Sequence, residues 1–287
     1  MVTPSARRNR GQVILIGAIT LAFILLGIVV VFNGVLYTET VSESSTSQST
    51  ADAEVVEQGV ERNLVEIAHR WNFNESTDRS DFEDIGSGEF AYQYRDMTAN
   101  SRSAITSVED INIESDQEAD VVSENDTTGN ISFDSDSEIG YFVLNLNAND
   151  DIITVEANHS TGDPDITIQP QDDHFKLKEV SDCEVPAEQV RFNLITGQTN
   201  VTPTGSCDPE TFRNELSIIE SDKSYSDLEI EFSSGDDLGT YDIVTTGGSI
   251  SGSDPGIWSF DITFTYESNQ VSYKRTASTI EVYGDRR

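Results

Sequence analysis

Twenty consecutive positions, Val13 to Phe32, carry a single polar side chain, Thr20, so a helix built from them is apolar on every face. At about 1.5 Å rise per residue such a helix is roughly 30 Å long, the thickness of a bilayer's hydrocarbon core. The pattern predicts one transmembrane helix, and no later apolar run is long enough for a second. Two other readings fit less well. A signal peptide has an apolar stretch of about 7–15 residues ending at a small-residue site, and the nearest such triplet, Ala51-Asp52-Ala53, lies far beyond the run. A helix packed on a soluble domain would keep a polar stripe, and this run, near the start of the chain, has none.

From Thr38 to Thr50, nine of 13 residues are Ser or Thr, mediocre helix formers that suit a short stalk. Helical periodicity then returns. Val56, Val60, Leu64, Ile67 and Trp71 form one apolar stripe, with Glu54, Glu57, Glu61 and Glu66 expected mostly to face away. A loop from Asn72 to Gly88 leads into a second amphipathic helix, predicted from Phe90 through Ile105 and Val108 and completing an αα-hairpin.

From Ile111 the period changes to two. Phe142, Leu144 and Leu146 alternate with polar or smaller neighbours, as do Ile153, Val155 and Ala157, and Asn149-Asp150-Asp151 between them predicts a hairpin. Leu228-Glu229-Ile230-Glu231-Phe232 alternates strictly, then turns at Gly235-Asp236-Asp237 toward a strand from Leu238 to Val244. Trp258, Phe260, Ile262, Phe264 and Tyr266 set five large apolar groups on one face. Val271, Tyr273, Ile280 and Val282 follow with a switch of parity that predicts a bulge.

The fold class expected is α+β: an N-terminal transmembrane helix and helical stalk, then an antiparallel β-sandwich or open β-sheet ectodomain. In residues this gives a basic cytoplasmic leader over 1–11, the transmembrane helix over 12–37, the stalk or αα-hairpin over 38–110 and an acidic β domain over 111–287.

Charge fixes the orientation and excludes one class of partner. Arg7, Arg8 and Arg10 precede the span and the next basic residue is Arg62, so the N-terminus is expected in the cytoplasm and the rest of the chain outside. Three of the 17 basic residues precede the span, leaving 14 beyond it against all 52 acidic ones. Such a surplus repels nucleic acid. The acids are spread along the chain rather than gathered in a terminal block, the pattern of a folded surface working in concentrated salt, and a haloarchaeal source is expected from it. Regularly alternating aromatic residues argue against disorder.

The two cysteines, Cys183 and Cys207, both lie on the outer side, where a pair normally oxidises to a disulfide. Five sequons place glycosylation acceptors at Asn74, Asn125, Asn130, Asn158 and Asn200, the last disfavoured by the stiffening Pro203. Catalytic chemistry finds few candidates. His174 beside Asp172 and Asp173 reads as a solvated loop rather than a metal site. Asp134-Ser135-Asp136-Ser137-Glu138 departs from a calcium loop at Ile139 and Asn145, where Gly and Glu are needed. Gly247-Gly248 and Gly252 lack the helix and lysine of a phosphate-cradling loop. No catalytic residue, metal set or cofactor is expected.

Arg10-Gly11-Gln12, set directly before the apolar helix, resembles the class III signal of archaeal type IV pilin-like proteins. The resemblance implies a prepilin peptidase cutting between Gly11 and Gln12 and a helix retained at the mature N-terminus. The run from Gln12 to Ala18, with Leu36-Tyr37-Thr38-Glu39, is similar to the N-terminus of an uncharacterised family of haloarchaeal membrane-anchored surface proteins. Filament-forming pilins carry glutamate at the fifth mature position, where this chain has Ile16, which points to a minor or priming subunit or an unassembled surface protein.

The function expected is therefore a non-enzymatic cell-surface protein with a pilin-like structural or adhesive role. Its partners would be membrane lipid through the N-terminal helix, prepilin peptidase, and other surface or pilin-like subunits. A membrane-tethered receptor ectodomain is the first alternative and a tethered hydrolase, which lacks a catalytic constellation, the second.

Overall fold

The computed structural model describes residues 50–284 apart from 75–81, 87, 103, 125–128, 149–151, 159–163, 172, 179, 181, 221–222, 233–238, 249 and 251. The chain enters as helix α1, residues 50–72, whose predicted stripe is buried at Val56, Val60 and Leu64. The second helix is shorter than its periodicity implied. α2 spans Glu89–Arg102, and β1, Ala104–Asn112, begins two residues later. Ala104, Thr106 and Val108 alternate inward while Ile105 is 48% exposed, so Ile105 and Val108 belong to a strand. The β-branched run Ile105-Thr106 favours extended backbone over a helix, and pairing with a later strand decides the matter. The two helices meet where Gly59 of α1 faces the Tyr94 phenol of α2.

Strands follow in chain order: β2 Glu118–Glu124, β3 Gly129–Asn147, β4 Ile153–Asn158, β5 Asp165–Gln171, β6 His174–Leu177, β7 Cys183–Pro186, β8 Gln189–Asn193, β9 Gln198–Thr199 and β10 Thr204–Gly205. Helix α3, Pro209–Leu216, is capped by Asp208, which accepts from the Glu210 amide and the Thr211 hydroxyl. It buries Phe212 and Leu216. β11 Ser224–Phe232, β12 Gly239–Thr246, β13 Asp254–Ile257, β14 Ser259–Ser268 and β15 Ser272–Glu281 complete the described elements.

Every described strand pairing is antiparallel. β1, β14 and β15 make a three-stranded sheet in the order β1-β14-β15. The other described strands form one large sheet along β10-β7-β6-β5-β4-β11-β3-β12-β2-β13, with β8 and β9 added beside β3. The hairpin expected between Phe142–Leu146 and Ile153–Ala157 does not form: β11 pairs with β4 and separates it from β3. Likewise β3 lies between β11 and β12. Alternation identified these strands, but the choice of neighbour is a long-range matter that alternation does not encode.

The β14–β15 hairpin matches its prediction, bulge included. Ile262 pairs with Ser278 and Phe264 with Arg275, so β15 carries the extra residue, and Ala277 there takes a left-handed φ of 50°.

Two cores result. The large sheet curls until Phe175 of β6 meets Phe192 of β8 edge to face, ring centroids 5.6 Å apart, enclosing one core with Phe142, Leu144, Val155 and Tyr225. The second core lies between α1, the three-stranded sheet and the outer face of β2, β3 and β12. Those three strands are thus covered on both sides at one end, with Val121, Tyr141 and Val244 toward α1 and Val122, Phe142 and Ile243 toward the first core. Gly140 is needed at this contact, because a Cβ there would lie 2.3 Å from Cβ of Tyr283 and 2.6 Å from the Trp258 ring.

Candidate functional site

The predicted processing residues Gly11 and Gln12 and the apolar run Val13–Phe32 lie outside the described residues. Among the described residues no helix is long and apolar enough to cross a membrane. Cys183 and Cys207 form the predicted disulfide, Cα atoms 4.7 Å apart, which ties the start of β7 to the segment between β10 and α3. Cys183→Ser is expected to lower stability by about 2–4 kcal/mol and leave one free thiol, read as a lower denaturant midpoint. Alkylation of both thiols without prior reduction would exclude the bond.

Of the sequons, Asn125 and the side chain of Asn130 lie outside the described residues. Asn74 is exposed just beyond α1. Asn158 is half-buried in β4 and donates its side-chain nitrogen to Asp227. Asn200 is exposed after β9, and its Oδ1 accepts the Arg191 amide at 2.9 Å. His174 has Nδ1 2.9 Å from the Asp173 carboxylate, next to the Lys176–Glu184 pair at 2.7 Å. Among the described residues no group of three or more His, Cys, Asp or Glu is placed to hold a metal ion.

A long-range polar arrangement lies at the seat of α1. Glu57, expected on the solvent side, is only 5% exposed. It accepts from Nη1 of Arg275 at 3.1 Å and from the Tyr273 hydroxyl at 2.9 Å, both on β15. Glu61, one turn further along α1, lies 3.7 Å from the same guanidinium. Burial and then the charge of Glu57 raise the pKa of Glu61, while Arg275 opposes them. Burial, followed by the hydrogen bond to Glu57, raises that of Tyr273.

The Glu61 shift has a pH consequence. Its folded pKa stands above the ordinary value, so its contribution to stability is present below the ordinary carboxyl pKa and lost as pH rises through the raised one. Glu61→Gln should therefore raise the thermal midpoint modestly at neutral pH and leave it unchanged in acid. A midpoint lowered at neutral pH would reverse this reading and make attraction to Arg275 dominant.

At the other end of α1, Asn72 pairs with one residue through both halves of its amide. Its Oδ1 accepts the Ile257 N–H at 2.8 Å and its Nδ2 donates to the Ile257 carbonyl at 3.0 Å, as a neighbouring strand would. The same nitrogen donates to the Tyr283 hydroxyl at 3.0 Å, which also lies 2.9 Å from Nδ1 of His69. Rings of Phe73, Tyr141, Tyr283 and His69 pack around it at centroid separations of 4.9 to 6.2 Å. The helix is thus fastened near both ends, with its apolar stripe between. Sequence reasoning missed Glu57 because charge on an amphipathic helix defaults to solvent. The one available signal was the complementary Tyr273-Lys274-Arg275 on a strand of the same core.

Over residues 7–127 the chain is similar to a family of unknown function, DUF7261. No curated protein and no solved structure matches it. The matched stretch takes in the leading segment, α1, α2, β1 and β2 and stops before β3, so it includes Glu57 and Asn72 but not their partners on β15 and at Ile257.

Proposed function

We propose that this is a cell-surface protein held by a single N-terminal membrane helix, its N-terminus cytoplasmic and its acidic β body outside, with a pilin-like structural or adhesive role. The observation that supports the reading best is the seat of α1. The helix follows the apolar run and the Ser/Thr-rich stretch in sequence, and buried polar contacts at Glu57 and Asn72 bind it to strands near the C-terminus. Those contacts join α1 directly to the β body, so the chain that follows the Ser/Thr-rich stretch is held as one piece from α1 onward. The exposed acids and the disulfide suit the oxidising, salt-rich outside.

Mass spectrometry of the protein from native membranes tests the pilin-like part. A peptide beginning at Gln12 is expected, from the Arg10-Gly11-Gln12 signal. An intact Met1 or Val2 terminus as the main species would leave a plain signal anchor. Impermeant labelling of intact cells tests the orientation separately: Lys176, Lys178 and Lys274 should react, and their protection until lysis would overturn the outer location.

A further inference from the structure

Beyond the area covered by α1, the outer face of the large sheet turns polar, and period-two alternation gives the reason. Leu144 and Leu146 of β3, Val190 and Phe192 of β8, and Tyr241 and Ile243 of β12 point into the first core. The alternate residues fall on the opposite face: Asn145 and Asn147, Gln189 and Arg191, and Thr240, with Asp242 next along β12, its Oδ2 accepting from the Asn145 amide at 3.5 Å. Register aligns them in rows: Arg191 opposite Asn145 opposite Thr240, and Gln189 opposite Asn147. They line a cleft of about 330 Å³, small for a ligand site and walled by carboxamides, a hydroxyl and one guanidinium. The Asn145 amide donates to the Thr240 hydroxyl at 3.1 Å, and the Arg191 guanidinium donates to the Tyr141 phenol.

Asn200 stands on the wall of the same cleft. The Arg191 amide holds its Oδ1, and no described residue accepts from its Nδ2, the atom that glycosylation modifies. Asn158, whose Nδ2 is engaged by Asp227, is the contrasting case. Carboxamides and hydroxyls, which both donate and accept, and a guanidinium, which donates, are groups that hydrogen-bond the hydroxyls of a saccharide.

Against the expectation that Pro203 disfavours this sequon, we propose that the cleft seats the first sugar of a glycan carried on the exposed Asn200, an inference that rests on the outer-surface reading above. In the attachment, Nδ2 of Asn200 forms a bond to the anomeric carbon of a phosphate-activated saccharide. The bond from that carbon to the phosphate oxygen breaks, the phosphate leaves with the electron pair, and one amide proton passes to base. The attached sugar then lies over Asn145, Asn147, Gln189 and Thr240, and the glycan leaves the body in a fixed direction.

Periodate oxidation of vicinal diols, followed by glycopeptide mass spectrometry of the full chain from native membranes in molar salt, tests the seat. The saccharide on Asn200 should oxidise several-fold more slowly than the saccharide on any other occupied sequon, and the difference should vanish in denaturant. An Asn145→Ala/Gln189→Ala variant, checked for native circular dichroism, should keep the glycan and lose the protection. Equal oxidation rates in the folded protein would overturn the proposal, as would an unmodified Asn200 beside other occupied sequons. Absence of saccharide from every sequon overturns it too, and the impermeant labelling above then reports independently on the outer location.

Discussion

Dialysed from molar salt into dilute buffer, the part of the chain beyond the apolar N-terminal run is expected to lose its β structure and to regain it when salt returns. The cause is 14 basic against 52 acidic residues on that part. Among the described residues Glu57 is the one buried acid, so the remaining described carboxylates lie on or near the surface, where only mobile ions separate them. At 0.01 M salt the screening length is about 30 Å, comparable to the size of the domain, and nearly every carboxylate repels every other. At 1 M it falls to about 3 Å and only neighbours interact. Circular dichroism against salt concentration measures the transition. A thermal midpoint unchanged between about 0.05 M and 3 M would refute both the halophile inference and the view that mutual repulsion limits stability.

Arg275→Ala is expected to destabilise the protein by about 3–5 kcal/mol, more than Glu57→Gln at about 1–2 kcal/mol, although the two side chains share one hydrogen bond. The asymmetry comes from burial. Arg275 is half exposed, and without Glu57 it rehydrates and still has Glu61 nearby. Glu57 is only 5% exposed, and without Arg275 its carboxylate stays in the core with the Tyr273 hydroxyl as its hydrogen-bond donor from β15. The loss should loosen α1 first, so amide exchange in residues 50–72 should quicken before exchange in β4, β5 and β6. Equal costs for the two variants, or exchange that rises uniformly, would show that the pair does not fasten the helix.

Much of the architecture was legible because it follows from local alternation. The α1 stripe, the strict pattern of β11, and the five-residue apolar face from Trp258 to Tyr266 each reflect one element covering one core, and the parity switch after Val271 located the bulge near Ala277. The pairing of Cys183 with Cys207 needed only the count, because two cysteines allow a single intramolecular bond. Reading failed where two cores share a strand or where a pattern spans a boundary. Tyr141-Phe142-Val143-Leu144 is apolar at successive positions because β3 is buried on both faces at that end; alternation at Phe142, Leu144 and Leu146 identified the strand but not its neighbours β8 and β12. Ile105 and Val108 continued a helical spacing by coincidence, and pairing of β1 with β14 overrode it.

The candidate sites divide along the same line. Sequence by itself determined the long apolar run, the Arg10-Gly11-Gln12 motif before it, the acidic surplus and the sequons, because each is a property of contiguous residues or of composition. Only the tertiary structure decided that β11 lies between β3 and β4, that Glu57 is buried against Arg275, that Asn72 pairs with Ile257, and that Asn200 shares a cleft with Asn145 and Gln189. These partners stand tens to hundreds of residues apart, and which of them meet depends on how the whole chain closes its two cores, a cooperative outcome that no local window contains.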